Sequence, residues 1–157
     1  MATDVRTLSG DEIVALARKI LTVAPLLRKV QPERVLQELG YPQLDIPSPY
    51  SRFADAGLGV SPASVALADD GSAETVAVPI HAELSRPPSD DDLDFMQDVF
   101  AMAGRTLIAH LGEPGGLSGG SSPALKWYYG ESVLTLMRGG LGVAFYLWRT
   151  IDLEGDE

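Results

Sequence analysis

Residues 124–150 read A-L-K-W-Y-Y-G-E, then S-V-L-T-L-M-R-G-G, then L-G-V-A-F-Y-L-W-R-T, three short runs rich in β-branched and aromatic side chains and parted by glycines. Glycine at each junction suits a tight turn, so the runs form three consecutive antiparallel strands. Successive side chains of a strand point to opposite faces. In the last run Leu141, Val143, Phe145 and Leu147 therefore share one face, while Ala144, Tyr146 and Trp148 share the other. Both faces are apolar, and neither suits bulk water.

Working back from this meander, residues 115–123 are small, polar and rich in glycine, and are expected to form a mobile connector. Before them lies a long helix. Ser89 caps it after Pro87-Pro88, and Asp90, Asp91 and Asp92 fill its first turn, where the helix dipole favours negative charge. Leu93, Met96, Phe100, Ala103, Leu107 and Leu111 form its apolar stripe, which ends near Gly112 and Pro114. Further back, Val65 and Leu67 alternate into a turn at Asp70-Gly71, and Val76, Val78 and Ile80 alternate on the return, giving a hairpin. Pro79 has no amide donor, which places the return strand near a sheet edge or a local irregularity.

The N-terminal third is helical. Ser9 with Glu12 spells a capping box, Ile13, Leu16, Ala17, Ile20 and Leu21 recur at helical spacing, and Pro25 stops the helix. A short second helix runs from Pro32 to a stop at Gly40. Pro42, Pro47 and Pro49 then make residues 41–51 an extended crossing segment that leads into a strand over residues 51–59. This order predicts an α+β protein, a two-layer sandwich with a mainly antiparallel five- to six-stranded sheet and two main amphipathic helices. The helix-then-meander order occurs twice, without a sequence repeat. Residues 1–157 form one domain, with a short flexible N-terminus over about 1–7 and an acidic tail over about 152–157.

The chain has no cysteine, which excludes disulfides, thiolate metal sites and cysteine nucleophiles and fits a reducing compartment. It also lacks an apolar signal core and any run approaching the roughly 18 to 20 apolar residues of a membrane span, so a cytoplasmic protein with no membrane partner is expected. A net charge of −10 argues against a nucleic-acid partner, because Lys and Arg neutralising phosphates supply most of that affinity. The charge is uneven. Residues 1–34 hold six basic and four acidic side chains, whereas residues 69–98 hold nine acidic ones, Glu83 among them, against Arg86 alone.

Motifs for catalysis do not assemble. Gly116-Leu117-Ser118-Gly119-Gly120 matches G-x-S-x-G, but a helix precedes it, a strand follows it, and no histidine comes later. His81 is expected on the outside of its strand and His110 in the last turn of the long helix. Two histidines without H-x-x-x-H spacing do not make a zinc site. Consecutive Asp90, Asp91 and Asp92 point in different directions and lack the calcium-loop glycine and glutamate, so helix capping accounts for them. No catalytic residue, cofactor or metal is expected. Two surfaces are expected to meet a partner: the acidic start of the long helix, with Asp90, Asp91, Asp94 and Asp98, and the strand face bearing Tyr146 and Trp148. A paired strand would bring Trp127 or Tyr129 alongside those two aromatics. That face is either covered by the protein's own loops or is a binding surface.

G-D-E-I-V-A-L-A-R near the start, S-R-F-A-D-A-G-L, the L-G-E-P-G-G loop and the K-W-Y-Y-G-E-S-V-L-T-L-M-R-G-G-L-G-V-A-F-Y-L meander together resemble a group of small uncharacterised actinobacterial proteins. More distantly, the element order is similar to the secretion-chaperone-like fold of type III chaperones and some polymorphic-toxin immunity proteins. The resemblance implies protein binding and carries over no functional residue. The leading expectation is a small acidic protein-binding module of immunity or chaperone type, non-catalytic, with a basic protein partner. The alternatives are a small-molecule binder or enzyme with a pocket between helix and sheet, and a homo-oligomer, such as a homodimer, pairing through its last strand.

Overall fold

Ser9 starts the fold as its sequence requires. Its hydroxyl accepts the Glu12 amide proton at 3.2 Å while the Glu12 carboxylate accepts from the Ser9 amide at 2.9 Å. Helix α1 (Gly10–Val23) follows and buries Ile13, Val14, Leu16, Ala17, Ile20 and Val23. Pro25 ends it by heading a 3-10 turn, Ala24–Leu26, where its missing amide costs nothing. Helix α2 (Pro32–Leu39) stops at Gly40, whose φ of +81° is the left-handed cap conformation that glycine adopts without strain. These elements belong to a computed structural model that describes residues 7–58, 62–82, 84, 87–139 and 142–149.

The strands are β1 (Gln43–Leu44), β2 (Ser51–Ala54), β3 (Ala63–Leu67) and β4 (Ala73–Pro79), then helix α3 (Asp90–Leu111), then β5 (Gly116–Ser118), β6 (Ala124–Tyr129), β7 (Ser132–Arg138) and β8 (Val143–Arg149). They make one open antiparallel sheet of eight strands in the order β1-β2-β3-β4-β8-β7-β6-β5. Two four-stranded meanders, each preceded by helix, therefore meet at their last strands, with Val76 opposite Leu147 and Val78 opposite Phe145. This is the spatial meaning of the repeated element order.

The α+β class and antiparallel sheet agree with the sequence, but eight strands replace five to six. The two extra strands are the edges, β1 and β5. Each has two or three residues in proline- or glycine-rich sequence and is held by backbone pairing, so no alternation announces it. Residues 116–118 of the expected mobile connector are thus strand. Two of its glycines admit an aromatic ring, because a Cβ on Gly115 or Gly116 would stand 2.8 Å from Tyr128 Cδ2 or 2.9 Å from its hydroxyl. The strand expected over 51–59 ends at Ala54, and residues 59–61 lie outside those described. Pro79 is the last residue of β4, an interior strand, so its missing amide is accommodated at a strand end rather than at a sheet edge. The last strand is likewise interior. With β4 on one side and β7 on the other, β8 has no free edge for a second copy.

All three helices share one core with one face of the sheet. Ile13, Ile20, Leu36, Leu39, Met96 and Leu107 cluster with Val65, Val76, Val78, Leu134, Leu136, Phe145 and Leu147. The stripe of α3 is Met96, Val99, Ala103, Gly104 and Leu107, whereas Leu93, expected on it, is 41% exposed. At the far end of α3 the Trp127 indole donates to the Gly112 carbonyl at 2.9 Å, tying a helix terminus to β6. Leu141 and the acidic tail at 152–157 lie outside the described residues.

Candidate functional site

The other face of the sheet carries no described helix. Backbone pairing lays one row of residues across it through every strand: Leu44, Phe53, Ser64, Ala77, Tyr146, Thr135, Lys126 and Gly116. Tyr146 stands at the centre of this row. Trp148, two residues on, lies opposite Val133, and Val133 lies opposite Tyr128, which gives the face its aromatic side. The Tyr146 and Trp148 rings are 6.1 Å apart with their planes tilted by 39°. Thr135 and Val133 lie fully buried between their larger neighbours.

Two polar atoms on this face have no hydrogen-bond partner among the described residues, the Trp148 indole Nε1 and the Thr135 hydroxyl, both buried. A buried indole N–H usually finds an acceptor. Burial also raises the Tyr146 phenol above its ordinary pKa of 10.0. At the start of β8 a cleft of about 180 Å³ is lined by Pro79, His81, Gly142 and Tyr146. His81 is buried rather than on the outside of its strand, and both its nitrogens are engaged. Nε2 accepts the Val143 amide proton at 2.9 Å, and Nδ1 lies 2.8 Å from the Ala82 carbonyl, to which it donates. The imidazole has no nitrogen left to serve as a general base.

The acidic candidates sit elsewhere. Asp90, Asp91, Asp94 and Asp98 are all exposed on α3, which packs against the core face of β7 and β8. Asp92 is different in kind. It is buried, and its carboxylate closes a capping box by accepting from the Ser89 amide at 3.0 Å. The acidic side chains and the Tyr146/Trp148 face therefore belong to opposite sides of the sheet, and the structure does not bring them together. Glu83 lies outside the described residues. Trp127 and Tyr129 do not join Tyr146 and Trp148 either. β7 intervenes, and Trp127 pairs in register with Leu134 on the core face, which leaves Tyr128 as the β6 aromatic on the helix-free face. Sequence reasoning missed Thr135, whose signal was a lone hydroxyl inside the apolar run from Val133 to Met137.

Among the described residues no three His, Asp or Glu side chains converge to hold a metal ion, and no helix is long and apolar enough to cross a membrane. Ser118 of the G-x-S-x-G match is the exposed last residue of an edge strand, without the strand-to-helix turn a nucleophile elbow needs.

Comparison with known proteins places the fold. The crystal structure of a DUF4309 family protein, YjgB, from Bacillus subtilis subsp. subtilis str. 168 superposes with a TM-score of 0.57 at 10% identity, over 90% of this chain and 97% of that one. At that identity the likeness is one of fold alone. No curated protein matches the sequence. None of these findings carries the actinobacterial or secretion-chaperone likeness expected from the element order. The segment that does match a family runs over residues 11–148, from the first turn of α1 to Trp148, and includes the whole helix-free row; the chain belongs to DUF6301, a family of unknown function.

Proposed function

We propose that the chain is a non-catalytic protein-binding module that docks its partner on the helix-free sheet face around Tyr146 and Trp148. The observation that carries this reading is the aromatic cluster of Tyr146 and Trp148, with the half-exposed Tyr128 on the same face, which no described helix covers. The partner is therefore a protein segment that lays apolar side chains against these rings. Tryptophan and tyrosine dominate such contacts because they bring large, rigid area with a polar tip. A net charge of −10 favours a basic partner, and Asp90, Asp91, Asp94 and Asp98, on the opposite side, act on encounter rate rather than on the bound contact.

The test is affinity capture with three baits in parallel: the native chain, Tyr146→Ala with Trp148→Ala, and Asp91→Asn with Asp94→Asn and Asp98→Asn. A protein retained by the native and asparagine baits but lost from the alanine bait, with all three baits folded, supports the reading. A protein lost only from the asparagine bait moves the interface to α3 and overturns it.

A further inference from the structure

At the end of β8 opposite His81, a cleft of about 460 Å³ opens beside the turn that follows α1 and the β6–β7 hairpin. It lies away from the Tyr146/Trp148 face, and its lining combines apolar and cationic groups. Leu21, Ala24 and Pro25 supply hydrocarbon, while Lys29, Arg149 and Glu131 supply charge. Two cations against one carboxylate make this a locally positive place in a chain of net charge −10.

Arg149 decides the chemistry. Its side chain is 23% exposed, and it donates one N–H to Glu131 at 3.0 Å, whose own side chain is 79% exposed. A guanidinium has five N–H donors in a planar fork matched to carboxylates. The remaining donors of Arg149 meet no protein acceptor among the described residues. Lys29 is exposed and enters no ion pair among those residues.

The chain beside the cleft is held in an unusual conformation. Arg28 has a φ of +68°, and it is a non-glycine residue. Its amide donates to the Ala73 carbonyl at 2.7 Å, and the Ala73 amide returns a bond to Val30 at 2.8 Å, so the turn is fastened to the start of β4. The neighbours on either side, Leu27 and Lys29, both line the cleft. A left-handed backbone at a residue with a side chain costs energy, and such conformations concentrate at ligand sites.

We propose that this cleft binds a small carboxylate bearing an apolar chain, with the carboxylate on Arg149 and Lys29 and the chain against Leu21 and Pro25. The volume fits a ligand of that size. Glu131 occupies part of the guanidinium when the cleft is free and competes with the ligand for it.

Hexanoate titrated into the full-length chain, followed by backbone amide NMR shifts, tests this, with acetate and hexylamine as controls. The expected result is saturable shifts at Lys29 and Arg149, with hexanoate binding at least about tenfold tighter than acetate because its chain reaches hydrocarbon. Hexylamine leaves these shifts unchanged. Lys29→Met and Arg149→Gln each weaken hexanoate by about tenfold, the scale of one lost charged contact, whereas Glu131→Gln tightens it. Should Arg149→Gln fail to fold, Lys29→Met and Glu131→Gln, both at exposed positions, decide the matter. Absence of saturable shifts at millimolar hexanoate overturns the proposal. So does an equal response to hexylamine, or an affinity that neither exposed-site variant changes.

Discussion

His81 Nε2 accepts the amide proton of Val143 at 2.9 Å, so an imidazole just beyond β4 takes the place of a backbone acceptor for the first residue of β8, 62 positions away. With Nδ1–H on the Ala82 carbonyl at 2.8 Å, the geometry fixes the neutral tautomer. The ring also meets Phe95 of α3 edge-on, with centroids 5.4 Å apart. One side chain thus joins the two meanders and the helix layer where the halves of the sheet meet.

Stability is therefore expected to fall in mild acid. Burial lowers the His81 pKa below its ordinary 6.5, a shift only partly opposed by the bond to Ala82. Above about 6.5 the ring is neutral in folded and unfolded chains alike, and its contribution is fully present. Below that value the unfolded chain takes up a proton that the folded chain resists, so stability declines as the pH drops toward and through the folded pKa. His81→Phe leaves the Val143 amide without its acceptor and costs about 1 to 3 kcal/mol at neutral pH. Urea melts at about pH 7.5 and about pH 5 check both points. The native chain loses more stability between them than His81→Phe does, and equal losses would contradict the tautomer argument.

Gly142→Ala strikes the same junction from the other side. A Cβ there would lie 2.8 Å from His81 Cε1 and 2.9 Å from its Nε2. The imidazole has to move and the Val143 bond breaks, for an expected loss of about 1 to 3 kcal/mol. In a double-mutant cycle with His81→Phe the two losses should fall well short of adding, and full additivity would show that the glycine acts independently of the histidine.

Much of the fold was legible because its signals were local. The capping box at Ser9, the cap at Ser89, the stop at Gly40 and the alternation through β6, β7 and β8 each specify an element within a few residues, and each is observed. The edge strands were not legible, since Gln43–Leu44 and Gly116–Ser118 owe their state to a neighbour's backbone rather than to their own side chains. Position in the sheet was equally hidden. Nothing local in residues 73–79 or 143–149 says that the final strand returns to pair with the fourth, and that pairing is what buries His81, makes β8 interior and separates the acidic helix from Tyr146 and Trp148.

Truncating the core has a direct expectation. Leu134 and Phe145 are fully buried on neighbouring strands of one cluster. Alanine at either position should cost about 2 to 5 kcal/mol, read as a lower denaturant midpoint. A loss below about 0.5 kcal/mol would be incompatible with the register of β7 on β8.

Gly115→Val tests the packing that replaces the expected mobile connector. The new side chain would collide with the Tyr128 ring, since a Cβ at Gly115 stands 2.8 Å from Tyr128 Cδ2, and would disturb the Gly115 amide bond to Lys126 at 2.9 Å. Faster amide hydrogen exchange at position 115 with little change in the core is the expected result. Unaltered exchange there would mean that Tyr128 does not rest on this backbone.

The most direct measurement is the dissociation constant of a captured partner, produced recombinantly, for the native chain, Trp148→Ala and the Asp91/Asp94/Asp98→Asn triple variant. A hot-spot tryptophan is worth about 2 kcal/mol or more, so Trp148→Ala should weaken binding by at least about thirtyfold. The triple variant should slow association at low salt and leave the dissociation rate unchanged. Native-like affinity for Trp148→Ala, with the loss falling instead on the asparagine variant, would contradict the assignment of the helix-free face as the docking surface.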